Sequence, residues 1–175
     1  MKILGGMVWP EDGNPGFFCA VAHKTRGAEE SLEGPREYIE ILKEIVSPIP
    51  TVLFEGIKSV IRLEGVYADG DTKYQTFIVD YARWRRENRC SVILRVPQIS
   101  SFEAGVLKIK DYTTSGRILF PADSVIRSQL QVFSKESLRH ETEVYGVSAL
   151  TKVIGAFSRR GHGLPSVDPN PKGWY

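Results

Sequence analysis

The sequence predicts a single mixed α/β domain, and three observations support this fold class. The chain has 175 residues, a length typical of one domain. Hydrophobic residues make up 42% and charged residues 25%, so there is enough apolar surface for a core. Short runs rich in strand formers alternate with segments whose apolar residues recur every three or four positions. This alternation is typical of a sheet covered by helices.

The first predicted elements are two strands joined by a turn. Residues 2–9 and 16–24 are apolar runs, and the prolines and glycines between them favour a turn. The pattern is typical of a β-hairpin.

Helical spacing follows Pro35, where apolar residues recur every three or four positions and charged residues fill the other face. We expect an amphipathic helix with Pro35 in its first turn, ended by Pro48 and Pro50. Residues 51–54 then predict a short buried strand that ends at Glu55.

The second half continues the alternation of helix and strand. Residues 57–72 combine apolar residues with loop glycines and receive no assignment. A capping box, Ser100 with Glu103, starts one of the helices, and Gly116 ends it. The predicted helices cover residues 73–88, 101–112, 121–133 and 141–157, and the strands cover 90–96 and 117–120. Together these elements form a domain of residues 1–160, and residues 161–175, with three glycines and three prolines, predict an extended tail.

Composition excludes several classes of protein. Two cysteines do not make a disulfide framework, and no apolar run reaches the roughly 18 residues of a membrane span, so we expect a cytoplasmic protein without a membrane partner. The motifs that bind nucleotides are absent, which predicts no nucleotide cofactor. Residues 1–82 carry 8 Lys and Arg against 13 Asp and Glu, whereas residues 83–175 carry 15 against 8. This asymmetry is compatible with a surface that binds polyanions.

Two glutamates are the leading candidates for chemistry. Glu143 lies four residues before Val147 on the apolar stripe of the last helix, where an unpaired carboxylate is costly. It also lies in the first helical turn, where it would simply favour the helix dipole near solvent. Glu55 follows a predicted buried strand, and carboxylates at strand ends face the crevice where ligands bind. The alternative for Glu55 is an ordinary loop position.

Metal-dependent cleavage of phosphodiester bonds requires carboxylates from separate segments around one or two divalent ions. Their hard oxygen atoms predict Mg²⁺ or Mn²⁺. Glu55 and Glu143 would be two of the ligands. The candidates for a third ligand are Glu11, Asp12, Glu141, Asp69 and Asp71.

A cluster of arginines is the candidate nucleic-acid surface. Arg83, Arg85, Arg86 and Arg89 surround Trp84 at the end of a predicted helix, where they would contact phosphates beside an aromatic ring. The alternative is a solvated helix face paired with nearby acids.

Several stretches resemble the C-terminal nuclease domain of viral large terminase subunits. They are SFEAG at 101–105, GRILFP at 116–121, RSQLQVF at 127–133 and ETEVYGVSAL at 141–150. The opening ILG at 3–5 and GFFCAV at 16–21 are similar to the first hairpin of Holliday-junction resolvases. The resemblance implies a ribonuclease H-like mixed sheet with flanking helices that cuts DNA during phage genome packaging, using acidic residues that hold two divalent metals.

The resemblance also implies where the acids would lie. An acidic pair starts the last helix, matching Glu141 and Glu143, and another acid ends a central strand, matching Glu55. The first acid of the related resolvases lies within strand one, but this chain has Met7 there. Either Asp12 or Glu11 supplies that ligand from a shifted position, or the site is incomplete.

Three hypotheses about function follow. The first is a Mg²⁺- or Mn²⁺-dependent DNA endonuclease domain with Glu55, Glu143 and Asp12 as catalytic residues and Glu141 as a further metal ligand. The second is a catalytically degenerate module of the same fold that binds nucleic acid or a packaging partner. The third, an enzyme acting on a small molecule, has no motif in its favour. The chain has no ATPase half, so a packaging ATPase or portal-type partner would be a separate chain in the host cytoplasm.

Overall fold

The computed structural model describes residues 1–27 and 37–157. The predicted tail, residues 161–175, and the predicted domain boundary at residue 160 lie outside this range. The strands are β1 Lys2–Val8, β2 Gly16–Thr25, β3 Glu37–Ser47, β4 Leu63–Tyr67, β5 Leu94–Arg95 and β6 Ile118–Leu119. The helices are α1 Pro50–Lys58, α2 Gln75–Glu87, α3 Phe102–Thr114, α4 Val125–Gln131 and α5 Tyr145–Ile154. Short 3₁₀ turns cover Thr72–Tyr74, Glu136–Arg139, Glu141–Val144 and Gly155–Phe157.

The strands form one mixed sheet with the order β5-β4-β1-β2-β3-β6. β1, β2 and β3 pair antiparallel in sequence, which confirms the predicted hairpin. β4 lies parallel to β1 on the other side, and the two-residue strands β5 and β6 extend the sheet in parallel at its two edges. The predicted α/β class is confirmed.

Both faces of the sheet are buried. Side chains of a strand alternate between its faces, so the neighbours Phe17 and Phe18 enter different apolar clusters. One cluster joins the sheet to α3, α4 and α5, and the other joins it to α1 and α2. Burial on both faces explains why β1 and β2 are nearly continuous apolar runs in the sequence. Within the described residues, no helix combines the length and apolarity needed to cross a membrane.

The two elements predicted around Pro48 and Pro50 were wrong. The predicted helix after Pro35 is strand β3, which pairs with β2 along its whole length. Ile39 and Ile41 alternate into the core, and tertiary pairing outweighs the helical spacing of the other apolar residues. The predicted strand at 51–54 is part of helix α1, because Pro50 occupies the start of a helix, where a missing N–H costs little.

The other elements agree with the sequence analysis except at their ends. Helix α3 is capped by Ser101 rather than by Ser100, because the Ser101 hydroxyl accepts a hydrogen bond from the Ala104 amide at 3.1 Å. Gly116 has a φ of 65° just beyond that helix, as expected for a helix end. The unassigned residues 57–72 contain the end of α1, strand β4 and the loop that follows it.

Candidate functional site

An acidic cleft lies where β1 and β4 end. These strands are parallel neighbours, so their carboxyl ends meet at one edge of the sheet, the usual place for ligands in α/β folds. The cleft has a volume of about 270 Å³ and is bounded by the turn after β1, the loop after β4 and the 3₁₀ turn before α5. Five carboxylates line it: Glu11, Asp12, Asp69, Asp71 and Glu141.

A buried lysine joins two of these carboxylates. Lys152 extends from α5, and its Nζ lies 2.9 Å from Oδ2 of Asp69 and 2.8 Å from Oε1 of Glu141. The Ser148 hydroxyl, one helical turn earlier, donates to the same Glu141 oxygen at 2.6 Å. Burial alone lowers the pKa of Lys152, but the bond to Glu141 and the charge of Asp69 outweigh it and raise the pKa. The ammonium group is therefore charged at neutral pH.

Glu11 has two partners of its own. Lys73 Nζ lies 2.5 Å from its Oε1, and the Tyr74 hydroxyl donates a hydrogen bond to its Oε2. Burial alone raises the pKa of Glu11, but the bonds from Lys73 and Tyr74 lower it below its ordinary value. Burial and the neighbouring Glu11 raise the pKa of Tyr74 to about 12, so its hydroxyl remains a donor.

The aromatic side chain of Trp9 fixes the loop that carries Asp69. Trp9, just after β1, stacks on Phe77 of α2 with ring centres 5.4 Å apart. Its indole nitrogen donates to the backbone oxygen of Asp69 at 3.0 Å. The loop after β4 is thus tied to the end of β1, which holds Asp69 at the cleft.

The structure separates the two leading sequence candidates from this cleft. Glu55 lies on an exposed position of helix α1 and does not line the cleft, because the strand predicted to end there is a helix. Glu143 is not on the buried stripe: its side chain is 66% exposed and lies 3.7 Å from His140 Nδ1. The 3₁₀ turn before α5 changes the helical phase, so Glu143 and Val147 do not share a face.

Two other predicted residues do line the cleft. Asp12 lies in the turn after β1 with a φ of 53°, and Glu141 lies in the 3₁₀ turn before α5. Asp69, one of the alternatives for a third ligand, faces Glu141 across Lys152. The structure therefore places Asp12, Asp69 and Glu141 around one space, and a role for any of them as a ligand remains a prediction.

The arginine cluster lies at the end of α2. Arg83, Arg86 and Arg89 are exposed, and Arg85 is half-buried. Trp84 is half-buried beside them, with its ring centre 5.6 Å from that of Phe54 in the core. The ion pair expected with Asp80 is loose, with Arg83 Nη1 4.0 Å from Oδ1.

Comparisons with known proteins show which fold this chain has. No protein-family model and no curated protein matches the sequence. The large terminase of a thermophilic bacteriophage matches 89% of this chain with a TM-score of 0.55 and 10% identity. The nuclease domain of the bacteriophage SPP1 large terminase, solved with bound Mn, matches 83% with a TM-score of 0.50 and 9% identity.

The chain has a ribonuclease H-like fold. It spans 39% of the thermophilic phage's terminase chain and 85% of the SPP1 nuclease-domain chain. The RuvC structure from Thermus thermophilus aligns more weakly, with a TM-score of 0.38, 13% identity and coverage of 88% of this chain and 92% of that one.

The residues of this ribonuclease H-like domain do not fit the two-metal site that the resemblance implies. Met7, at the position of the expected acid, is fully buried in the apolar cluster beneath α1 and α2. Lys152 and Lys73 form ion pairs with three of the five carboxylates. Across residues 1–27 and 37–157, no group of three or more His, Cys, Asp or Glu side chains is arranged to hold a metal.

The sequence analysis did not identify Lys152, whose ammonium group occupies the space between Asp69 and Glu141. A signal was present, because Lys152 is the one charged residue in the sequence of α5, among apolar and small residues, and lies four positions after Ser148. That spacing places both side chains on one helix face. The burial of Lys152, 7% exposed, becomes visible only when α5 is packed between the sheet and α3.

Proposed function

We propose that this ribonuclease H-like domain binds nucleic acid without cutting it. The observation that carries the proposal is the Lys152 ammonium group between Asp69 and Glu141. A carboxylate pair already bound to an internal cation has little affinity left for Mg²⁺ or Mn²⁺, because a further cation is repelled by the ammonium group. Without an ion at that place, no water is activated for hydrolysis of a phosphodiester bond.

Binding to nucleic acid is supported by the charge at the C-terminal end of α2 and just beyond it. Three exposed arginines follow one another at three-residue intervals, Arg83, Arg86 and Arg89, which suits repeated contacts with phosphates. Likeness to the two phage large terminases favours double-stranded DNA as the ligand and a packaging complex as the setting. Within it, a separate ATPase or portal-type protein in the host cytoplasm would be the partner of this domain.

A Mg²⁺- or Mn²⁺-dependent endonuclease is the second candidate, and one observation favours it. The cleft gathers five carboxylates, while Lys73 and Lys152 supply only two positive charges. The remaining negative charge attracts divalent cations. In that case Asp69, Glu141 and Asp12 would be the ligands, and Glu55 and Glu143 would not.

Two assays on one preparation separate the candidates. We expect the wild-type protein to bind a fluorescent DNA duplex in EDTA, measured by anisotropy, because arginine contacts need no metal. We also expect supercoiled plasmid to stay intact with Mn²⁺ over a wide range of protein concentration.

Nicking that requires Mn²⁺ and disappears in Asp69→Asn, but not in the exposed control Glu143→Gln, would establish the endonuclease instead. Absence of binding to DNA in EDTA would contradict the binding half of the proposal.

A further inference from the structure

Lys152 is the only charged residue that is buried in the described part of the chain. Its helix, α5, is otherwise lined with apolar and small side chains that pack on the sheet and on α3. A buried ammonium group is costly unless charged partners surround it, and it would not persist in this helix without Asp69 and Glu141. Lys152 and the two carboxylates of the cleft therefore depend on each other.

The Lys152 ammonium group lies between two carboxylates, a setting that would otherwise attract a cation. Its Nζ lies within 2.9 Å of carboxylate oxygens from two separate segments, the loop after β4 and the turn before α5. A metal ion bridging the same two oxygens would need to displace the ammonium group. Ser148 completes the arrangement, since its hydroxyl donates to the Glu141 oxygen that Lys152 also contacts.

We infer that Lys152 is a built-in cation that takes the place of a divalent metal, and that removing its charge turns the cleft into a Mn²⁺ site. This inference rests on the proposed function, in which the wild-type cleft holds no metal. The two vacated carboxylates, Asp69 and Glu141, would then supply hard oxygen ligands of the kind that Mn²⁺ prefers.

Manganese binding measures this directly, without any assay of cleavage. Free Mn²⁺ is followed by electron paramagnetic resonance during titration of wild type, Lys152→Met and Lys152→Arg. Lys152→Met keeps the length of the apolar stem but removes the charge, whereas Lys152→Arg retains the charge. We expect Lys152→Met to bind one Mn²⁺ at least about tenfold more tightly than wild type, and Lys152→Arg to bind no better than wild type.

A second substitution shows where the ion binds. Adding Asp69→Asn to Lys152→Met should abolish the gained affinity, because it removes a ligand while conserving shape. Adding Glu143→Gln instead should leave the affinity unchanged, since that side chain is exposed and outside the cleft. Circular dichroism of each variant checks that the fold is retained.

Failure of this inference can be told apart from failure of the proposed function. Equal Mn²⁺ affinity of wild type and Lys152→Met would overturn the inference, and if wild-type plasmid still stays intact, the proposed function survives. If Lys152→Met does not fold, Mn²⁺ binding by wild type is compared with that by Asp69→Asn instead. Binding by wild type that is lost in Asp69→Asn would overturn the inference. No Mn²⁺ binding by wild type would uphold it. Nicking by wild type overturns the proposed function itself.

Discussion

At the scale of single residues, the cleft is organised by three ion pairs rather than by open carboxylates. Glu11 pairs with Lys73, and the neighbouring Tyr74 also donates a hydrogen bond to it. Asp69 and Glu141 share one partner, Lys152, which lies 83 positions from Asp69 but only 11 from Glu141. Each pair joins two segments that border the cleft, so these charges stabilise its rim.

The Glu11 pairing predicts a loss of stability in acid. Because the pKa of Glu11 is lowered by folding, its contribution is fully present above the ordinary value of 4.5 and disappears as the pH falls through the lower folded value. We expect Glu11→Gln to destabilise the protein by about 1 kcal/mol at pH 7 and by less at pH 3.

Urea denaturation of both proteins at the two pH values measures this. Glu64→Gln, at an exposed position of β4, is the matched control and should follow wild type at both. A Glu11→Gln deficit that is equal at pH 7 and pH 3 would show that the ionised carboxylate contributes nothing.

At the scale of elements, the central contact is that between β1 and α5. Gly6 allows it, because a Cβ atom there would lie 2.0 Å from the backbone oxygen of Ala149. The helix therefore approaches the strand closely enough for Lys152 to reach Asp69. A side chain at this position would push α5 away from the sheet.

Gly6→Ala is expected to lower the free energy of unfolding by about 3 kcal/mol, since the clash is with backbone and neither element can move alone. Chemical denaturation followed by circular dichroism gives the value. Gly27→Ala is the control, because its added Cβ meets nothing within 4 Å among the described residues. A midpoint shift no larger than that of the control would mean that α5 packs less closely on β1 than described.

At the scale of the whole molecule, the charges are divided between two regions. The cleft at the ends of β1 and β4 carries an excess of carboxylates, whereas the end of α2 carries exposed arginines, of which Arg83 has only a loose contact with Asp80. A phosphate backbone is attracted to the second region and repelled by the first. We therefore expect DNA to be bound at α2 rather than in the cleft.

Arg86→Ala with Arg89→Ala tests this division of charge. Each arginine that contacts a phosphate adds about one to the slope of log affinity against log salt, so the double variant should lose up to about two from that slope. Arg127→Ala with Arg139→Ala removes the same charge from exposed positions elsewhere and serves as the control. Equal loss of affinity in both variants would indicate a diffuse electrostatic effect without a defined surface.

Local patterns in the sequence determined most of the helices and the first hairpin. Proline and glycine mark the turn between β1 and β2, and apolar spacing defines α2, α3, α4 and α5. These signals depend on neighbours within one or two turns of chain. The resemblance of short stretches to terminase nuclease domains also predicted the ribonuclease H-like fold, which the structure confirms.

Only the tertiary structure decided β3, α1 and the composition of the cleft. β3 has helix-like spacing and becomes a strand because β2 offers it a complete edge, which no local pattern records. Because the segment predicted as a strand is helix α1, Glu55 lies on an exposed helix face and not at a strand end. Lys152 meets Asp69 across 83 positions of sequence, so its pairing depends on the packing of α5 against the sheet. Charges that are distant in the chain are neutralised by contacts that only the folded molecule creates.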